Sequence, residues 1–267
     1  MEQVLAMKKP SESVQLADRS YLLGFYIDKM SLDQCVRYLD DIIQKRQKIH
    51  IVLVNAAKIV KARRDPQLAR IIREAHFVGA DGVPIVWASR ILRQPLPGRI
   101  NGTDLMDSLI ALAAEKGHRV YFLGAKEKVI ANAVDLLKET YPGLQVAGFR
   151  HGYFSSAAEE KQIVADISAS GADILLVGMS TPMKEEWVRR NFKDLDVSVI
   201  HGVGGSFDIL GGLTKRAPVW MQKTGLEWFY RLLQEPRRMW KRYLVTNTIY
   251  VGLVMKEFLF MIFRIRK

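Results

Sequence analysis

The chain has 267 residues, 49% apolar and 25% charged, which suits one large or two small globular domains. A single cysteine, Cys35, excludes an intrachain disulfide. The net charge of +12 is unevenly placed: positions 215 to 267 hold twelve Lys/Arg against three Glu, while the first 214 residues carry 28 basic and 25 acidic groups. Such asymmetry points to an anionic partner, whether phosphate, nucleic acid or an acidic membrane.

In chain order, the polar and irregular positions 1–19 read as a mobile arm, with no basic-then-apolar leader. "YLLGFYIDKM" reads as a strand, and Ser31 caps the helix that follows. "IHIVLVN" is a buried-strand pattern ending at Asn55, and "AAKIVKARRDPQLARIIREA" is helical. A helix is expected from about Gly82, broken by "RQPLPGR". "NGTDLMDSLIALAAEKG" is a helix opened by Asn101 or Thr103 and closed by Gly117. Strands at "RVYFLG", "LQVAGF", "ADILLVGM" and "VSVIHGVG" then alternate with helices of about ten to fifteen residues. That order predicts a Rossmann-like α/β fold, a mostly parallel sheet with helices on both faces. Positions 20–224 form the α/β domain and 225–267 a basic, apolar helical appendage. Ligands in such sheets bind beyond the C-terminal strand ends, here Asn55, Leu123-Gly124, Gly178 and His201-Gly205.

Asp81 is the one charged residue in "FVGADGVPIVW". It suits a helix N-cap or a general base in a partly desolvated pocket, and both readings stay open. "HGVGGSFDILGG" follows a strand end, where glycines admit close backbone approach and successive N–H groups can form an anion nest; a glycine turn between strand and helix fits equally well. "DLD" at Asp194 to Asp196 precedes a strand and reads as a turn. Histidines at 50, 76, 118, 151 and 201 lack zinc-ligand spacing, so neither a metal nor a cofactor is expected. The tail reads as two helices, with Pro236 in the first turn of the second. Its apolar runs are split by Lys256-Glu257, so it suits lying in the headgroup region better than crossing a bilayer; the rival reading packs it on its own domain.

Seven segments, "VNAAKIV", "ADGVPIVW", "GRINGTDLM", "VYFLGAKE", "GMSTPMKEEW", "GVGGSFDILGGLTKRAP" and "GLEWFYRLLQEPRR", together resemble one family over roughly residues 20 to 242. It is the family of bacterial glycosyltransferases typified by the teichoic-acid linkage enzyme that adds N-acetylmannosamine and the common-antigen enzyme that adds N-acetylmannosaminuronic acid. The resemblance implies inverting, metal-independent transfer from a UDP-sugar to a polyprenyl-diphosphate-linked saccharide, at the cytoplasmic face of the bacterial inner membrane. It assigns Asp81 as base and Arg99 to the diphosphate. Asn55, Gly124, Lys184, Gly204, Gly205, Ser206 and Asp208 are expected near substrate, and Arg231, Arg238 and Lys241 reach over the site from the tail. Leu53 stands where the family commonly has Thr, and Lys184 where Gln is usual. That lysine suits either an acidic sugar or a phosphate. A non-catalytic nucleotide- or phospholipid-binding membrane protein is the rival reading. Nucleic-acid binding rests on charge alone and is not expected; self-association is left open.

Overall fold

The computed structural model describes residues 18–265, without the side chains at positions 223, 238, 242, 264 and 265. The arm expected at 1–19 therefore lies almost wholly outside the described residues. In chain order come β1 (Arg19–Leu22), β2 (Phe25–Asp28), α1 (Leu32–Gln44), β3 (Ile49–Val54), α2 (Ala56–Ala62), α3 (Pro66–Glu74), β4 (Phe77–Ala80), α4 (Val83–Ile91), α5 (Gly102–Lys116) and β5 (Arg119–Gly124). There follow α6 (Glu127–Thr140), β6 (Gln145–Arg150), α7 (Ala157–Ala169), β7 (Ile174–Gly178), α8 (Met183–Asn191), β8 (Val199–Gly202), α9 (Ser206–Leu210), α10 (Val219–Lys223), α11 (Glu227–Gln234) and α12 (Pro236–Ile265).

Six strands form one parallel sheet in the order β4-β3-β8-β7-β5-β6. Successive strand residues point to opposite faces. Ile51, Phe122 and Leu176 thus enter a core with α1, α5 and α6. Val52, Val54 and Val78 face α2, α3 and α4, while Tyr121, Leu123 and Val177 face α7 and α8. The expected α/β architecture is what forms. Asn101 is the residue that caps α5, and Gly117, at φ 75°, closes it.

Two local expectations are corrected, and one strand joins those expected. "YLLGFYID" is an antiparallel hairpin apart from the main sheet, turning at Leu23-Gly24. The long helix expected after Asn55 is two, because Asp65 caps a new one and Pro66 occupies its first turn. Finally, Phe77–Ala80 is a strand, paired with β3 at the sheet edge, so Asp81 stands directly beyond a C-terminal strand end.

In the tail, α12 is continuous through Lys256 and Glu257, so these residues do not divide it. By length and composition alone, Met239–Phe263 is long and apolar enough to cross a membrane. One flank nevertheless packs on the domain. Tyr250 and Val254 are buried against the α2 side of the core, and Tyr250 Oη donates to Pro84 O at 3.1 Å. Glu257 turns inward to accept from Leu23 N at 3.2 Å and lies 3.7 Å from Arg63. The opposite flank exposes Trp240, Leu244, Val251, Met255, Leu259 and Phe263.

Candidate active site

The strand order reverses between β3 and β8, whose following helices α2 and α9 lie on opposite faces. Such a switch point opens a crevice at the C-terminal strand ends. Asn55 stands at the end of β3 and Asp81 at the end of β4. The Asn55 side-chain oxygen accepts from Lys58 N at 2.9 Å, capping α2. That bond turns its amide NH₂ toward Asp81, where it donates to Oδ2 at 3.2 Å. Asp81 itself caps nothing. The N-cap of α4 is Gly82, with no side-chain cap bond, and its φ of 100° suits the turn from strand to helix without a Cβ. Of the two readings of Asp81, the helix cap is therefore set aside.

Behind this pair lies a buried charged cluster that the sequence reading missed apart from Lys184. Lys58, 7% exposed, donates to Leu53 O and to Glu185 Oε1, each at 2.7 Å. Glu185, 2% exposed, also accepts from Thr181 Oγ1 at 3.2 Å. Its burial opposes ionisation, but Lys58 and Lys184 outweigh that and hold the carboxyl below its ordinary range. Lys184 Nζ donates to Gly202 O at 3.2 Å and lies 3.9 Å from Glu185. Burial pushes its ammonium down to about 8, with Lys58 adding to the shift and Glu185 and Asp81 opposing it. The glycine loop makes room for this side chain at Gly202, where a Cβ would meet Lys184 Cδ at 2.9 Å; Gly204 instead takes a φ of 60°, which favours glycine. His201, fully buried below, is pushed down to about 4, first by burial.

The remaining expected residues are placed unevenly around this centre. Gly204 and Gly205 lie in the loop over Lys184. Ser206 is 4% exposed and its hydroxyl bonds Val203 O and Thr103, while Asp208 follows on α9. Gly124 sits two strands from β8, about 10 Å at ordinary strand spacing. Its Cβ would strike Gly178 O at 2.5 Å, so close strand-end packing already demands a glycine there. Arg99 pairs with Glu227 of α11 at 2.7 Å, and Asn101 donates to the same oxygen at 3.3 Å. Arg216 bonds Asp104 and reaches Asp107 at 3.2 Å, fastening the connection before α10 to α5. The tail is thus docked by its first helix. Arg231 lies one turn beyond Glu227, on the same helical face; it and Lys241 are exposed, and the Arg238 side chain lies outside the described residues. Asp194 and Asp196 precede β8, at the opposite end of the sheet from Asp81.

A partly buried carboxylate, oriented by an amide at a switch-point crevice and backed by fixed cations, is equipped for group transfer with acid–base help. The model of the Glycosyl transferase WecG/TagA/CpsF family matches residues 20–262. The chain belongs to that family, as its seven segments suggested. It is 35% identical over 207 residues to the N-acetylglucosaminyldiphosphoundecaprenol N-acetyl-beta-D-mannosaminyltransferase of Bacillus spizizenii, covering 78% of this chain and 79% of that one. Proteins of the same name from Bacillus subtilis and Staphylococcus aureus are 35% and 33% identical, covering 79% and 83% of this chain and 81% and 85% of theirs.

Proposed function

We propose that this glycosyltransferase moves a sugar from a UDP-sugar to a saccharide carried on polyprenyl diphosphate, in cell-surface polysaccharide synthesis at the cytoplasmic face of the bacterial inner membrane. The observation that carries the reading is Asp81 at the end of β4, held by the amide of Asn55, the residue that caps α2. The names of the relatives, which specify an N-acetylglucosaminyldiphosphoundecaprenol acceptor, support a lipid-linked acceptor here too. In this mechanism the Asp81 carboxylate takes the proton of the acceptor hydroxyl. The hydroxyl oxygen attacks the anomeric carbon from the face opposite the nucleotide, and the bond to the diphosphate breaks with its electron pair leaving on UDP. One displacement inverts the configuration. The growing negative charge needs fixed cations rather than a metal, and Arg99, brought under α11, is the first of them.

Turnover over a panel of UDP-sugars with a lipid-linked saccharide tests the reading. One donor should release UDP and yield the inverted linkage, with and without EDTA. Activity lost on chelation and restored by Mg²⁺ or Mn²⁺ overturns the metal-free mechanism; no turnover with any UDP-sugar overturns the donor class.

A further inference from the structure

Among the described residues, Lys58, Glu185 and Lys184 form a deeply buried charged cluster at the crevice, and the mechanism above uses none of them. Glu185 belongs to Lys58, at 2.7 Å, and lies 3.9 Å from Lys184. An ammonium has three donors, and Lys184 places one of them on Gly202 O. Its side chain, 12% exposed, packs against Gly202, where a Cβ would meet its Cδ at 2.9 Å. The charged and titratable groups that act on it are Lys58 on α2, Glu185 on its own helix, Asp81 beyond β4 and the neutral His201 on β8. Asp81 offsets its charge without a hydrogen bond between them. If Asp81 takes a proton during transfer, that offset disappears as the leaving group becomes more negative. A buried cation left without its counter-charge attracts the nearest anionic oxygen strongly.

We propose that the Lys184 ammonium receives an anionic oxygen of the nucleotide-sugar donor, and that Lys58 and Glu185 are positioning residues that hold it beneath the glycine loop. This rests on the UDP-sugar reading. The oxygen is one of the diphosphate or one of a carboxylate on the sugar. A fixed ammonium at the diphosphate does the charge-neutralising work a divalent cation would otherwise do. The charge is present below about pH 8 and is lost above it, unless a bound anion raises that value.

Calorimetry on the full chain tests this with three probes: UDP, a neutral UDP-N-acetylhexosamine and a UDP-hexuronic acid. Lys184→Gln keeps a donor for Gly202 O and removes the charge. At pH 7.5 it should weaken all three by about tenfold if the diphosphate is held, or only the hexuronic acid if the carboxylate is held. Wild-type affinity should also fall between pH 7.5 and 9. Lys58→Met removes a repelling charge and should move that fall to higher pH; Glu185→Gln should move it lower. These shifts need no Lys184 variant and would not follow from a packing role. Unchanged binding of all three probes by Lys184→Gln, or a pH profile unmoved by the other two variants, overturns the inference. A wild-type chain that binds none of the probes and makes no product takes the UDP-sugar reading down with it; one that turns over while its variants match it sinks this inference alone.

Discussion

Asn55 serves two partners with one amide: its oxygen caps α2 and its nitrogen holds Asp81. Asp81→Asn keeps the shape and removes the basic oxygen, so transfer should fall by about 10² to 10⁴-fold while UDP binding and folding persist. A variant that retains a third of wild-type turnover would return Asp81 to a structural role. Two buried histidines make a separate, pH-linked prediction. His50 is pushed down to about 3 and His201 to about 4, each first by burial. Unfolded, they take protons near pH 6.5; folded, they do not. Their stabilising contribution is therefore complete above about 6.5 and is lost as the pH falls toward 4, at about 1.4 kcal/mol per pH unit for each. Urea melts at pH 7 and 5 measure this, and His201→Gln should show the smaller loss. In the sequence, Asp81 stood out because its neighbours are apolar. Lys58 and Glu185 did not, because a lysine or glutamate on a helix ordinarily marks a solvated face. Arg99 and Glu227 lie 128 positions apart, and nothing local announces their pairing.

Among elements, the regular strands and helices were legible because their apolar periods are long and cleanly punctuated. β4 was not: four residues, one of them glycine, carry too little alternation to show. The hairpin was hidden for a different reason. Its turn is Leu23-Gly24, with Leu23 at φ 51°, so no polar turn residue marks it. Pro66 did mark the break between α2 and α3, yet the continuous helical period masked it. The register of α12 was out of reach too, since it is apolar on both flanks and only tertiary packing chooses between them. That packing yields a prediction. Tyr250→Ala removes a buried ring and the bond to Pro84 O, and should cost about 3–5 kcal/mol in chemical unfolding. Phe263→Ser, on the opposite flank and itself 62% exposed, should stay within about 0.5 kcal/mol of wild type. Equal effects would mean that the flanks are wrongly assigned.

For the whole molecule, the α/β body carries a C-terminal stretch, positions 215–267, with twelve Lys/Arg against three Glu, docked through Glu227 at the crevice and Glu257 at the hairpin. The outer stripe from Trp240 to Phe263 suits an apolar surface. We expect the chain to co-sediment with anionic vesicles by two separable contributions. Leu259→Ser with Phe263→Ser should release it at all salt concentrations while leaving stability unchanged. Neutralising Arg231 and Lys241 should weaken attachment by roughly 1 kcal/mol per residue, and only at low salt. Sedimentation unchanged in both variants would rule out the stripe as a membrane surface.

The clasp between Leu23 and Glu257 joins residues 234 positions apart. On a ribosome adding about 5–20 residues per second, the hairpin exists for roughly 10 to 50 seconds before the helix that covers it has been made. Through that interval the Leu23 turn lacks its carboxylate partner, and the flank of α2 lacks Tyr250 and Val254. Completion of the fold is therefore an event of late synthesis, and newly made chains interrupted before Tyr250 should be cut by protease near the hairpin where finished ones are not.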